Sequence, residues 1–187
     1  LSGNNVKILV DGVPVIGRMG GNIDLSQLNL YNIDHVEIVE GPMSVIYGSN
    51  ALAGAINIIT KENLHSNYNY TFNTYLENLG TYNFDGIIAF KKGRNNFSFS
   101  GGRNFFTGVY LDLDTNRSQT WKPKEQYNTD FYYTYSNKNS KIKLQSSFMS
   151  EQLLNKGDQQ GPSFRNATDS WFRSLRFSNR LEYNLKL

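Results

Sequence analysis

Few residues in this chain have the type and spacing that chemistry demands. Asp112, Asp114 and Asn116 stand at alternate positions, a spacing that can point oxygen ligands at a hard cation such as calcium. No glycine sits where an EF-hand loop needs one, so a solvated loop is the competing reading. His35 and His65 are the only histidines, and neither lies in an HExxH or CxxC context. They read as ordinary loop or interface residues. With no cysteine, the chain offers no disulfide framework, thiolate metal site or catalytic thiol. Asn166 to Thr168 matches the short glycosylation-acceptor pattern. Nucleophile, acid/base pair and metal are all poorly supplied, so an enzyme is not expected.

The elements that would carry these residues fall into two regimes meeting near residue 62. Of the 12 Tyr, 12 Phe and 2 Trp, only Tyr31 and Tyr47 precede Asn63. Charge divides at the same place, about −3 before and +6 after, within a formal net charge of +3. Lys and Arg are scattered rather than clustered, which argues against nucleic acid as a partner. No apolar run approaches the ~20 residues of a membrane helix, so any membrane span must be a barrel. No secretory signal opens the chain, and it reads as a mature or truncated segment.

In the first regime, Val6–Val10 is a short β-branched run followed by Asp11-Gly12, the dipeptide of a tight hairpin. Val13, Val15 and Ile16 form the return strand, and Arg18 to Asn22 is a glycine-rich loop. Asp24 could cap a helix over Leu25 to Ile33, where Leu25, Leu28 and Ile33 give a partial apolar stripe. Val36 to Val39 alternates as a half-buried strand. Pro42 is placed to start a helix through Met43 to Tyr47, with Gly48 to end it, and Gly54 to Lys61 is a further strand. The order is that of a small mixed α/β unit.

The literal words are more specific than the pattern. Asp11-Gly12-Val13-Pro14, then Val36-Glu37-Ile38-Val39-Glu40-Gly41-Pro42, then the block from Tyr47-Gly48-Ser49 through Gly54-Ala55-Ile56-Asn57-Ile58-Ile59-Thr60-Lys61 closely resemble the plug of TonB-dependent receptors, in the right order and spacing. Most of these residues have a structural job: Gly48 and Gly54 allow sharp turns, and Ile56, Ile58 and Ile59 pack the strand.

The remaining residues fit membrane strands, in which lipid-facing apolar residues alternate with lumen-facing polar ones. Tyr68, Tyr70, Phe72 and Leu76 oppose Asn67, Asn69, Thr71 and Asn73. Five more runs pass the same test: Tyr82 to Lys91, Asn96 to Phe105, Asp130 to Ser136, Lys141 to Phe148 and Trp171 to Lys186. Arg103, Arg173 and Asn179 break the apolar face. A soluble β-sandwich has the same period, but the tyrosine- and phenylalanine-rich apolar face suits interfacial girdles. Turns at Lys92 to Asn95 and Asn137 to Ser140 would be short and periplasmic, and connections Thr107 to Gln126 and Glu151 to Asp169 long and extracellular.

The expected fold is therefore a mixed α/β plug segment, residues 1–62, followed by antiparallel transmembrane β-barrel strands, residues 63–187. Six strands cannot enclose a plug, and the resemblance implies a native barrel of 22 strands. It further implies uptake of a large scarce nutrient (cobalamin, haem or a ferric siderophore), with TonB, ExbB and ExbD as energising partners and outer-membrane lipid as surroundings. A surface lipoprotein is a further partner that it admits. Residues Gly17, Arg18, Met19, Gly20, Gly21 and Asn22 would face the ligand at the plug apex. Glu37 and Glu40 would form a plug-to-barrel ionic latch, although the position of Glu40 usually carries Arg in the family, so the sign of the latch is open. No cofactor is expected beyond structural calcium at Asp112, Asp114 and Asn116. The Gly17 to Gln27 segment and the aspartate pair lean toward the cobalamin-type receptors. A plug-and-barrel surface receptor or adhesion protein without transport is the alternative.

Overall fold

The computed structural model describes residues 6–15, 18–19, 22–23, 25–28, 33–41, 51, 53–61, 67–109, 119–159 and 166–185. The chain divides into two compact units, Leu1–Asn63 and Leu64–Leu187.

The first unit is built on a four-stranded sheet in the order β2-β1-β6-β5, with β1 at Val6–Val10, β2 at Val13–Pro14, β5 at Ile33–Glu40 and β6 at Gly54–Thr60. β1 and β6 are parallel, and the other pairs are antiparallel. Asp11 and Gly12 turn β1 into β2 with φ of 49° and 79°, the two positive angles that a tight hairpin of right-twisted strands needs. Asp11 also fastens the turn to β6. Its carboxylate accepts from Thr60 N and Thr60 Oγ1, both at 2.8 Å, and Asn57 Oδ1 accepts from Gly12 N at 2.8 Å. One sheet face carries the core of Ile8, Leu28 and Ile58, with Val6, Val10, Val15, Ile33 and Ile56 packed against it. At Gly54, φ is 140° and a Cβ would collide with the Val39 carbonyl oxygen, so only glycine fits.

The structure corrects two expectations here. The helix over Leu25 to Ile33 is absent from the described residues: Leu25–Gln27 is a single 3-10 turn, and Ile33 opens β5 by pairing with Thr60. Three apolar positions do not make a helical stripe when Leu25 is exposed, Leu28 is buried and Ile33 belongs to a sheet. β5, read as half-buried, is exposed from Asp34 to Glu40, with Ile38 at 68 %. As the edge strand it has β6 on one side only. Between β2 and β5 in the chain, Arg18–Met19 (β3) and Asn22–Ile23 (β4) pair as a minimal hairpin. The helix read over Met43 to Tyr47 lies outside the described residues.

The second unit is a six-stranded antiparallel meander: β7 Tyr68–Glu77, β8 Thr81–Lys92, β9 Asn95–Phe106, β10 Lys124–Ser136, β11 Ser140–Asn155 and β12 Ser170–Leu185. Each strand pairs with the next without a register shift. Turns 93–94 and 137–139 close one end, whereas 78–80, 107–123 and 156–169 lie at the other. The two long connections are shorter than expected, because Lys124, Glu125 and Gln126 open β10 and Glu151 lies inside β11. Charge on one face does not end a strand when that face is polar throughout. Pro123, which lacks an N–H, marks the boundary of β10.

Candidate functional site

Register decides which side chains share a face, because directly paired residues point the same way and neighbours along a strand point opposite ways. One row runs Tyr68, Phe90, Phe97, Tyr133, Leu144, Leu181 across the six strands, and two residues along lies Tyr70, Ile88, Phe99, Phe131, Ser146, Asn179. Aromatic rings on this face pack at centroid distances of 4.9 Å for Phe90 with Phe97 and 5.0 Å for Phe97 with Tyr133. These apolar side chains nevertheless stay open: Tyr70, Phe72, Phe99, Phe177 and Leu181 are all more than half exposed. A face this large, apolar and uncovered needs a non-aqueous environment.

The opposite face is polar. Its rows include Asn83, Asn104, Gln126, Glu151, Ser174 and, four residues along, Ile87, Ser100, Asp130, Ser147, Ser178. Asp85, Ser100, Gln126, Asn128, Asp130 and Glu151 are buried among their neighbours, and burial of such groups requires partners. Asn73 Nδ2 donates to Asp85 at 2.7 Å, Asn104 Nδ2 to Gln126 Oε1 at 3.1 Å and Gln145 Nε2 to the Tyr132 hydroxyl at 3.1 Å. Lys124 Nζ lies 2.9 Å from Glu151, and Arg180 pairs with Glu182. Arg176 is within electrostatic reach of Glu151 and Asp130.

Two of the polar breaks in the apolar face, Arg103 and Asn179, have partners on that face. Arg103 Nε and one of its terminal nitrogens each lie 2.8 Å from Glu125 Oε1, which also accepts from the Tyr127 hydroxyl at 2.7 Å. The guanidinium sits 4.6 Å from the Phe105 ring centroid. Ser146 Oγ donates to Asn179 Oδ1 at 2.8 Å.

In the first unit, Glu37 Oε2 accepts from Asn57 Nδ2 at 2.9 Å and Oε1 lies 3.6 Å from His35 Nε2. Asp34 meets His35 Nδ1 at 2.8 Å, and this hydrogen bond, with the nearby Glu37, raises the His35 pKa above its ordinary 6.5. Read from sequence as unremarkable, His35 is thus clamped between two carboxylates. The signal was local, an Asp-His-Val-Glu run with His35 and Glu37 on one strand face. Glu37 and Glu40 pair with Asn57 and Gly54 and project to opposite faces of β5, so the structure does not bring them together. Of the apex loop, Arg18, Met19 and Asn22 form the β3–β4 hairpin, while Gly17, Gly20 and Gly21 lie outside the described residues. Asp112, Asp114, Asn116 and His65 lie outside them too. Among the described residues no group of three or more His, Asp or Glu could hold a metal. No helix is long and apolar enough to cross a membrane, which says nothing of strands.

A polar face and an apolar, aromatic-rich face on one antiparallel meander, preceded in the chain by a small mixed β-sheet unit, are the features of a segment of an outer-membrane β-barrel. Comparison with known proteins makes the class specific. Residues 1–55 match the TonB-dependent receptor plug domain family. The vitamin B12 transporter BtuB of Vibrio cholerae is 42% identical over 60 residues, a stretch that covers 32% of this chain and 10% of that protein. Among solved structures, the copper transporter OprC superposes with a TM-score of 0.71 at 16% identity, covering 96% of this chain and 26% of its own. A ferric enterobactin receptor (PfeA) mutant from Pseudomonas aeruginosa gives 0.72 at 15% identity, covering 96% and 30%. These structural likenesses speak for the fold. Residues 1–55 of the chain thus match a TonB-dependent receptor plug, and the chain spans about a tenth of the length of the vitamin B12 transporter that it matches.

Proposed function

We propose that the protein of which this chain is part takes up a large scarce nutrient across the outer membrane, drawing energy through TonB with ExbB and ExbD. The observation that carries the reading is the plug match joined to membrane strands, together with 42% identity to a vitamin B12 transporter. Cobalamin is accordingly the first candidate cargo, ahead of haem and ferric siderophores. Gly17, Arg18, Met19, Gly20, Gly21 and Asn22 are the proposed plug contact with cargo. The β3–β4 pairing supports this role, since it gathers Arg18, Met19 and Asn22 into one short hairpin. Glu37 and Glu40 are proposed to meet barrel charges, and Asp112, Asp114 and Asn116 to bind calcium.

Binding of cobalamin, haemin and ferric chelates to the full-length receptor, with uptake in cells with and without TonB, tests the reading. TonB-dependent accumulation of bound cobalamin is the expected result. Binding without accumulation would favour a surface receptor that does not transport, and no response to cobalamin would remove it as cargo.

A further inference from the structure

Charge on the lipid-facing side of the strands is confined to the ends. The central outward rows, from Ile88, Phe99 and Phe131 to Phe72, Phe148 and Phe177, contain no Asp, Glu, Lys, Arg or His. Toward the end that bears connections 107–123 and 156–169, the next outward row holds Arg103 between Phe84 and Tyr127. The row beyond it runs Tyr82, Phe105, Glu125, Gln152, Arg173. Long connections mark the extracellular side of such barrels. Arg103 and Arg173 therefore stand at the outer-leaflet interface, on the outside of the wall.

We propose that Arg103 and Arg173 bind phosphate groups of outer-leaflet lipid, so that this wall holds specific phosphorylated lipids as an annulus. The Arg103 side chain is built for such a contact. Glu125 takes two of its donors through one oxygen, and Phe105 supports the planar face at 4.6 Å. Guanidinium has five N–H donors, two of which meet Glu125, and its geometry matches phosphate. Tyr127 donates to the same Glu125 oxygen and holds the carboxylate to its positioning task. Arg173 is exposed and lies three strands away in the meander, about 14 Å at ordinary strand spacing. The two cations would thus meet separate phosphates. Apolar side chains directly below, including Phe99, Phe148 and Phe177, would pack along the acyl chains of the same lipids. The inference depends on the outer-membrane placement and is independent of the cargo.

The test uses the full-length receptor reconstituted in phosphatidylcholine nanodiscs doped with lipid A, then released into neutral detergent for native mass spectrometry of retained lipid. Lipid A is expected to be retained in preference to phosphatidylcholine, and retention to fall as salt rises. Arg103→Gln and Arg173→Gln should each lower it about five-fold. Arg180→Gln on the inner face should leave it unchanged. Heat-modifiable migration on gels verifies that each variant is folded. Salt-insensitive retention in the unmodified protein would overturn the proposal without recourse to any variant. So would wild-type retention in the folded double variant, or an equal loss in Arg180→Gln.

Discussion

The two units solve opposite solvent problems with the same secondary structure. The Leu1–Asn63 unit hides its branched aliphatics on one side of a sheet, around Ile8, Leu28 and Ile58. The Leu64–Leu187 unit turns its rings outward and buries Asp85, Gln126, Asn128 and Asp130 instead. A strand has no intrinsic inside. Which alternating set is concealed depends on the medium beyond each face, so the same substitution should have opposite effects in the two units.

The largest effect expected from that contrast is on the small core. Ile58→Ala removes side-chain volume at a buried position and should cost the first unit about 2–5 kcal/mol. Phe177→Ala, at an outward position 67% exposed, leaves no cavity and should cost much less. Chemical denaturation of the full-length receptor, followed by probes in each unit, checks the pair.

A charge test follows. Phe99→Lys places an ammonium in the middle of the outward band and should cost about 2–4 kcal/mol of folding free energy in lipid. Ser147→Lys, on the inner face of β11, should cost about 0.5 kcal/mol or less. Reversible folding into vesicles would give both numbers, and equal costs would break the assignment of faces.

Backbone and hydrogen-bond effects should be smaller. Asn57→Ala removes the acceptor for Gly12 N and the donor to Glu37, and a loss of about 1–2 kcal/mol is expected. The smallest effect belongs to His35. Because its folded-state pKa is raised, protonation favours the folded form, and that contribution is present below pH 6.5 and lost as pH rises through the folded value. Asp34→Asn should bring the NMR titration midpoint of His35 down toward 6.5, with little change in global stability at an exposed site.

Much of this was legible in the residues. The Asp11-Gly12 turn requires two positive φ angles and has them, and the sharp turn that Gly54 allows coincides with a backbone position where a Cβ would meet the Val39 carbonyl oxygen. All six outward faces followed from a period of two. What the sequence hid was set by tertiary pairing. The run Leu25, Leu28, Ile33 imitates a helix locally, yet β6 captures Ile33 as a strand. Lys124, Glu125 and Glu151 look like loop residues because charge is the ordinary mark of a loop. On long strands, Lys124 and Glu151 face each other on the polar wall, and Glu125 serves Arg103 on the other side. The exposure of β5 depended on its edge position in the sheet order, which no local pattern encodes.

Single-cysteine accessibility along β10 bears most directly on the central claim, and these 187 residues contribute no background cysteine to it. Probes at Tyr127, Thr129, Phe131 and Tyr133 in the membrane-embedded receptor should respond to a lipid-soluble quencher, and probes at Gln126, Asn128, Asp130 and Tyr132 should not. A two-residue period in that phase is the predicted result. Uniform quenching, or the reverse phase, would contradict the reading of this sheet as a membrane barrel wall.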